Sequence, residues 1–230
     1  MGTHVIAGAG QVGTHLAALL VDQGHEVVVV TRSGSGPRSV TRPDTKAVTR
    51  AVTRAAANVA DQTRLTELTR GADVLYNTVN PRYHRWVQDW PPMAASLLGA
   101  AEATGAVLVT LSCLYGYGPV SRPMTEDNPL DSTGTKGRVR AQMWRDALAA
   151  HEAGRVRATE LRGSDYYGPG AGDQAYLGDR FVPALLAGKR TTFLSDPGIP
   201  HSWTYLPDVA RALAIAGADE RALGRAWHIP

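Results

Sequence analysis

The stretch Val5-Ile6-Ala7-Gly8-Ala9-Gly10-Gln11-Val12-Gly13 decides the fold of this chain of 230 residues. The apolar run Val5–Ala7 has the length and composition of a buried strand. The following stretch, Val12–Gln23, repeats leucines at helical spacing, which places them on one face of an amphipathic helix. A glycine-rich turn between a strand and such a helix predicts the start of a βαβ unit.

The three glycines of this turn have separate tasks in a dinucleotide-binding loop. Gly8 allows the tight turn, Gly10 lets the backbone approach a pyrophosphate, and Gly13 lets the helix pack closely on the strand. The amino terminus of the helix offers unpaired N–H groups and the positive end of its dipole to the phosphates. An ordinary glycine-rich turn is the alternative, but the context favours a dinucleotide site that also includes Gln11 and Val12.

Beyond this turn, short β-rich runs alternate with helical stretches. Continuous apolar runs such as Val27–Val30 suit strands that are covered on both faces. Repeated strand–helix units predict an α/β fold with a doubly wound parallel sheet and right-handed crossovers. The further predicted strands are Ala56–Val59, Asp73–Thr78, Val107–Leu111 and Val156–Leu161, and the further predicted helices are Gln62–Arg70, Met93–Thr104 and Lys136–Ala153.

The alternation stops at residue 163, which divides the chain into three predicted parts. Residues 1–162 are predicted to form an NAD(P)-binding Rossmann domain. Residues 163–200 are rich in Gly, Pro and Tyr, with one short helix near Leu177–Gly188, and are predicted to be a small substrate-binding portion or lid. Residues 201–230 are predicted to return to the Rossmann core. Because the final predicted strand stops abruptly, it stays open whether a further carboxyl-terminal segment is missing.

Composition excludes several classes of protein. The chain is 43% apolar and 20% charged, which is too apolar for a disordered chain, and its net charge is +3. The basic residues form no run, so nucleic acid is not an expected partner. The single cysteine, Cys113, and 7 histidines without ligand-like spacing predict neither a disulfide nor a metal site. No apolar stretch is long enough to span a membrane, so we expect a cytoplasmic protein with a small-molecule substrate and no membrane partner, and a homodimer is one possible assembly.

The residues after the second predicted strand indicate which dinucleotide binds. An acidic side chain about 20 residues beyond the glycine motif normally binds the ribose 2′-hydroxyl of NAD. Thr31-Arg32-Ser33 stands there instead. Arg32 can form a bidentate fork with a 2′-phosphate, and Thr31 and Ser33 add hydroxyl donors. This favours NADP(H), with NAD(H) as the alternative if Arg32 is simply a solvated loop charge.

Several further stretches carry a resemblance to a known family. They are Asn58-Val59-Ala60-Asp61, Asn77-Thr78-Val79-Asn80, Tyr117-Gly118, Met124-Thr125-Glu126-Asp127-Asn128-Pro129-Leu130, the stretch from Arg162 to Gly170, and Tyr205-Leu206-Pro207-Asp208-Val209-Ala210. With the glycine motif, they make the chain resemble the extended short-chain dehydrogenase/reductase superfamily, in its NAD-dependent epimerase/dehydratase branch, over nearly the whole length. The cofactor contacts that this resemblance implies are Asn58 and Val59 at adenine, Asn77, Thr78 and Val79 toward the nicotinamide-side ribose, and Gly163 and Ser164.

The chain departs from this family at the catalytic positions. Family members carry Tyr-x-x-x-Lys, in which the tyrosine exchanges the proton and the lysine lowers its pKa and holds the ribose. Lys136 matches the lysine, but Ser132 stands where the tyrosine is expected. Cys113 occupies the position of the family's catalytic serine or threonine, with Ser112 beside it, and a thiol is a weak hydrogen-bond donor.

Other residues are candidates for the missing role. Tyr115 follows the strand that ends near Ser112, and a nearby Lys136 is expected to lower its pKa. The alternative is that Tyr115 and Tyr117 merely wall the pocket. His201 is a candidate acid/base or a structural hydrogen-bonding residue. The candidate substrate-binding residues are Asn80, Tyr115, Asp165, Tyr166, His201 and Trp203, and the candidate catalytic residues are Lys136, Tyr115, Ser112 and Cys113.

These observations favour an NADP(H)-dependent oxidoreductase or epimerase that acts on a small polar or natural-product-like substrate. The missing tyrosine keeps two alternatives open. One is a catalytically silent sensor or scaffold that binds NADP(H), and the other is a non-redox enzyme on the same fold.

Overall fold

The computed structural model of the protein describes residues 1–40, 50–172, 175–192, 196 and 198–230. Residues 173–174, 193–195 and 197 of the predicted lid therefore lie outside the described residues. The helices are α1 (Gln11–Asp22), α2 (Gln62–Thr69), α3 (Trp86–Thr104), α4 (Thr135–Glu152), α5 (Val182–Leu186) and α6 (Leu206–Ala218). The strands are β1 (Thr3–Ala7), β2 (Glu26–Thr31), β3 (Ser39–Val40), β4 (Arg50–Ala51), β5 (Thr53–Ala56), β6 (Val74–Asn77), β7 (Val107–Cys113), β8 (Ala158–Gly163), β9 (Asp165–Tyr167), β10 (Trp203–Tyr205) and β11 (Ala226–His228).

The central sheet has its topological switch between β1 and β6. Within the described part of the chain, seven strands pair in the order β11-β8-β7-β6-β1-β2-β5. Every neighbouring pair in this sheet is parallel. The chain therefore runs outward from β1 on one side and outward from β6 on the other, which confirms the doubly wound Rossmann-like fold. Ligands of such sheets bind outside the carboxyl ends of the strands at this switch point.

The apolar runs are continuous because both faces of the sheet are covered. Val5 packs in one buried cluster with Leu97 of α3. Its neighbour Ile6 packs in the opposite cluster with Leu16 of α1. Successive side chains of a strand point to opposite faces, so a strand buried on both sides must be apolar at every position.

One predicted strand is misplaced. The prediction of Ala56–Val59 is wrong, because β5 ends at Ala56. The residues beyond it form a turn in which the backbone N–H of Ala60 donates to Asn58 Oδ1 over 3.1 Å. Asp61 then caps α2 by accepting the backbone N–H of Arg64 at 3.0 Å. Side chains of this type form local turns and helix caps in preference to a strand.

Two predicted helices have other limits. Helix α3 begins at Trp86 instead of Met93 and continues through Pro91 and Pro92. It is preceded by a 3-10 turn, Tyr83–Arg85, and an ion pair of 2.7 Å joins Arg85 to Asp89 across its first turn. The short helix predicted near residues 177–188 extends over the five residues of α5.

The carboxyl-terminal part of the chain adds a separate small sheet. Strand β9 pairs in parallel with β10, and these two strands form a sheet of their own beside the central one. None of the described helices combines the length and the apolar character that crossing a membrane requires.

Candidate functional site

The turn after β1 is shaped by three glycines. Gly8 has φ +104°, and a side-chain carbon there would lie 3.0 Å from the backbone of Thr78 at the end of β6. A side-chain carbon at Gly13 would overlap the carbonyl oxygen of Gly8. At Gly10, in contrast, no heavy atom of the described residues lies within 4 Å of the place that a side-chain carbon would take. The two outer glycines are therefore needed for packing, and the middle one leaves room for a ligand.

The start of α1 offers the groups that a pyrophosphate needs. No described side chain caps this helix, and its first turn contains no acidic residue. The backbone N–H groups of Gln11, Val12 and Gly13 therefore lack helical acceptors. Val12 is itself buried in the core, so it serves this site through its backbone. The turn fits a dinucleotide pyrophosphate in both space and charge.

The loop 168–172 lies beside this helix start. The side-chain amide of Gln11 donates to the carbonyl oxygen of Ala171. His15 Nε2 lies 2.9 Å from the carbonyl oxygen of Pro169. The segment predicted to be a lid is thus attached to the same helix that begins at the glycine turn.

The predicted adenosine-side residues lie at the end of β2. The Thr31 hydroxyl donates to the carbonyl oxygen of Ser35 over 2.8 Å, and the Ser33 hydroxyl donates to Ser35 Oγ over 2.8 Å. Arg32 is exposed. The pKa of Asp89 is lowered mainly by the hydrogen bond from Arg85, and the positive charge of Arg32 lowers it further. The structure thus places an exposed guanidinium where the sequence predicts the 2′-phosphate contact.

The predicted contacts after β5 and β6 use their side chains within the protein. Asn77 Oδ1 accepts the backbone N–H of Val79 at 3.3 Å, and the Thr78 hydroxyl donates to the carbonyl oxygen of Ala7 at 3.0 Å. Val59 is buried, and the Asn58 side chain holds the turn described above. These side chains set the shape of the loops that surround the glycine turn.

Lys136 lies in an aromatic cluster that the sequence did not predict. Its Nζ atom is 3.9 Å from the ring centroid of Tyr83. The Tyr83 ring lies 6.3 Å from that of Tyr115 and 5.2 Å from that of Trp86, centroid to centroid. Tyr83 and Trp86 come from the turn after β6 and the start of α3. Their one sequence signal is that they closely follow Asn80, which is exposed beyond the end of β6.

The predicted direction of the pKa shift of Tyr115 is wrong. Lys136 was expected to lower its pKa, but burial raises that pKa, and a side-chain hydrogen bond with Tyr83 raises it further. The nearby Cys113 and Asp165 act in the same direction. Tyr115 therefore keeps its proton at neutral pH and can act as a hydrogen-bond donor.

Ser112 and Cys113 face a buried polar network. Ser112 is 4% exposed, and its hydroxyl hydrogen-bonds the carboxylate of Glu160. Arg162 Nε donates to the same carboxylate over 2.6 Å, and its Nη1 donates to the Tyr117 hydroxyl. Burial raises the pKa of Cys113, which keeps this side chain a neutral thiol at neutral pH.

The remaining candidates lie on the small sheet. His201 Nε2 is 2.8 Å from Asp165 Oδ2, and both side chains are more than one third exposed. The ring of His201 lies 4.7 Å from that of Trp203. Tyr166 reaches back to β8, where its ring would be 2.8 Å from a side-chain carbon on Gly163. Asp165 also makes a small contribution to the raised pKa of Tyr115.

Ser164 fastens the two parts of the small sheet. Its backbone N–H donates to Thr204 Oγ1 over 3.2 Å, and its hydroxyl donates to the Ser202 carbonyl oxygen over 2.6 Å. Its side chain thus holds the segment that carries His201.

Comparisons with known proteins agree with this geometry. The sequence model of the NAD dependent epimerase/dehydratase family matches residues 4–229. The chain is 24% identical to a UDP-N-acetyl-alpha-D-glucosaminuronate decarboxylase of Bacillus cytotoxicus, over 98% of this chain and 73% of that protein. This identity leaves the particular reaction of the chain open.

Solved structures resemble it in fold. A UDP-N-acetylglucosamine 4-epimerase from Methanobrevibacter ruminantium M1, in complex with UDP-N-acetylmuramic acid, has a TM-score of 0.83 at 16% identity, covering 99% of this chain and 76% of that one. A dTDP-glucose 4,6-dehydratase from Streptomyces venezuelae, with NAD bound, has a TM-score of 0.79 at 21% identity, covering 99% and 75%. At these identities the likeness shows the fold.

The open space at Gly10 generates a prediction. Gly10→Ala should leave the melting temperature unchanged, because the backbone there is extended and the new carbon meets no atom of the described residues. The same carbon would meet an approaching pyrophosphate, so affinity for NAD(P) should fall by more than about tenfold, or 1.4 kcal/mol, in calorimetric titration.

Gly13→Ala is the matched comparison, since its new carbon overlaps the Gly8 carbonyl oxygen. It should lower the melting temperature as well as the affinity. Unchanged cofactor affinity in Gly10→Ala would contradict the assignment of this turn.

Proposed function

Because the chain belongs to the NAD dependent epimerase/dehydratase family, we propose that it changes a sugar carbon of a nucleotide sugar by oxidation and reduction. The chain is an enzyme of the NAD(P)-dependent short-chain dehydrogenase/reductase type. One observation carries the proposal. The open cradle at Gly10 follows β1, Tyr83 follows β6 and Tyr115 follows β7, so the cradle and the Lys136 cluster lie at the same carboxyl edge of the sheet.

The substrate class is supported by chemistry that the compared proteins share. Each of the three is named for a sugar linked to UDP or dTDP. Such a substrate needs a site that exchanges a proton with a sugar hydroxyl beside the cofactor. In this chain, the groups available for that exchange are the Lys136 cluster and the His201–Asp165 pair.

Each part of the site has a task that its geometry supports. A nicotinamide dinucleotide, when bound, would supply the hydride chemistry of the reaction. The α1 amino terminus binds the pyrophosphate, and the ammonium of Lys136 holds the ribose with up to three hydrogen bonds. Tyr115 is a donor, because its raised pKa keeps it protonated. Ser112 positions the strand end through its hydrogen bond to Glu160.

Residues 163–200 form the roof of this site in our proposal. The support is that the first part of the segment is attached to α1, and that its start is bonded to the residues that follow its end. Gln11 and His15 of α1 hold the carbonyl groups of Ala171 and Pro169, and Ser164 holds Ser202. The exposed His201–Asp165 pair then lies where the roof meets the substrate.

The preferred cofactor in our proposal is NADP(H). An exposed Arg32 stands at the end of β2, and residues 31–40 contain no acidic residue that would bind a ribose 2′-hydroxyl. A planar guanidinium matches a phosphate in charge and in hydrogen-bond geometry.

Turnover of nucleotide sugars tests the proposal. The protein, supplied in turn with NADP and NAD, is incubated with UDP-glucose, UDP-N-acetylglucosamine, UDP-glucuronate and dTDP-glucose, and products are identified by mass spectrometry. At least one nucleotide sugar should be converted, and free glucose, the matched control, should not. Cofactor binding without conversion of any of the four would contradict the proposal and favour the silent sensor.

Arg32→Asp tests the cofactor preference. Losing a charge-assisted pair with the 2′-phosphate costs about 1.5–3 kcal/mol, so NADP should bind more than about tenfold less tightly in calorimetric titration. Affinity for NAD should stay equal or rise. Arg70→Asp, which makes the same charge change at the exposed end of α2, should leave both affinities unaltered. Equal affinities for NADP and NAD in the unaltered protein would refute the preference.

A further inference from the structure

We propose that Tyr83 is the proton-transfer residue of this site. With Lys136 it forms a tyrosine–lysine pair in which the tyrosine comes from a different element than the helix that carries the lysine. The inference rests on the proposed function and names the group that performs its proton step. The tyrosine comes from the 3-10 turn Tyr83–Arg85 after β6, and the lysine comes from the first turn of α4.

Position 132 has a packing role that a tyrosine could not fill in the same place. A side-chain carbon on Gly137 would overlap both Ser132 Oγ and the carbonyl oxygen of Tyr115. A carbon on Gly118 would lie 3.0 Å from the Ser132 backbone. Ser132 therefore lies tightly between the turn after β7 and the start of α4. The small side chain allows this contact, and the phenol must come from elsewhere.

Tyr83 brings a phenol to the lysine that would otherwise lack one. The ammonium lies over the face of its ring at 3.9 Å from the centroid, which is a close cation–π contact. The contact places the ammonium of Lys136 beside the phenol to which our proposal assigns the proton transfer. Tyr83 is also 54% exposed, which leaves part of the residue open to a substrate.

Tyr115 completes the arrangement as a second phenol. It hydrogen-bonds Tyr83, and burial keeps its own proton in place, so it donates to the Tyr83 oxygen. Tyr83 thus has the Lys136 ammonium over its ring and a second phenol bonded to its hydroxyl.

The Tyr83 ring is fixed by a buried anchor. It contacts Trp86, which is 4% exposed and donates its indole N–H to the carbonyl oxygen of Pro81 over 3.1 Å. Arg140 lies one turn beyond Lys136 on α4. Its guanidinium lies over the Trp86 ring, 4.6 Å from the ring centroid. The contact with this anchor positions the Tyr83 ring, and proton transfer requires such positioning.

The proton step balances without a further reactant. In the oxidative direction the O–H bond of a sugar hydroxyl breaks and a new O–H bond forms on the Tyr83 phenolate. The hydride from the same carbon goes to the oxidised nicotinamide, so a carbonyl group remains. In the reverse direction Tyr83 gives the proton back as the carbonyl is reduced.

Kinetics and spectroscopy of Tyr83→Phe test this assignment together. With the nucleotide sugar that the unaltered enzyme converts, kcat should fall at least about a hundredfold, because general acid–base catalysis contributes 10²–10⁴-fold. The dissociation constant for NADP should stay within about twofold, since ribose binding belongs to Lys136. Tyr115→Phe should lower kcat less, because it removes the assisting donor and leaves the proton carrier.

A readout without turnover checks the contact itself. In protein labelled with ¹³C at tyrosine Cζ, the Tyr115 resonance at neutral pH should shift in Tyr83→Phe. Tyr76→Phe is the matched control. It removes a hydroxyl 3.2 Å from His4 Nδ1, in the buried cluster that includes Leu16 of α1, and should change neither kcat nor the Tyr115 resonance.

The outcomes separate this inference from the proposed function. If Tyr83→Phe keeps more than about a tenth of kcat, or the Tyr115 resonance does not move, the assignment is overturned while the proposed function stands. A loss of turnover in His201→Gln with full activity in Tyr83→Phe would place the proton path on the histidine pair instead. If the unaltered protein converts no nucleotide sugar, the proposed function fails, and the catalytic role of Tyr83 fails with it.

Discussion

The close approach of α1, β1 and β6 at the glycine turn is the constraint on which the site depends. The Thr78 hydroxyl lies 3.0 Å from the carbonyl oxygen of Ala7 and 3.1 Å from that of Gly8. A side-chain carbon on Gly13 would lie 2.7 Å from the same hydroxyl. Contacts this close leave no space for a side chain, and they fix how the chain leaves β6. The turn that carries Tyr83 starts from this point, so one packing contact sets both halves of the site.

Beneath the exposed groups, a buried polar network supports the site. The Ser112 hydroxyl, the carboxylate of Glu160, the guanidinium of Arg162 and the Tyr117 hydroxyl are linked in order, and Tyr117 lies 2.8 Å from His228 Nε2. Buried ionic groups are stable when each has partners, and costly when one is lost. Since these groups bind one another, our proposal assigns the proton chemistry to the exposed Tyr83.

The sequence predicts the fold well where one physical rule dominates. Burial on both faces makes Val5–Ala7 and Val27–Val30 continuously apolar, and the structure has strands at both places. The strand predicted at Ala56–Val59 is wrong because Asn58 and Asp61 bind nearby backbone groups, which competes with strand pairing. Local side-chain hydrogen bonds of this kind leave little signal in a hydrophobic pattern.

The site is less predictable because it depends on contacts between distant parts of the chain. The glycine turn and the position of Arg32 could be predicted because spacing along the sequence sets both, whereas the role of Arg32 stays a prediction. The contact between Lys136 and Tyr83 joins two separate βα units and has no spacing rule. The pKa of Tyr115 shifts in the opposite direction to the prediction, because burial raises it and burial is known only from the fold.

A crystal structure of the protein with NADP and the nucleotide sugar that it converts is the most direct test. Our account predicts that the Tyr83 hydroxyl lies within about 3.2 Å of the sugar oxygen that is oxidised, with the pyrophosphate over Gly10. It also predicts that Ser132 stays packed against Gly137. A complex in which His201 holds that sugar oxygen and Tyr83 points away from the substrate would contradict the account.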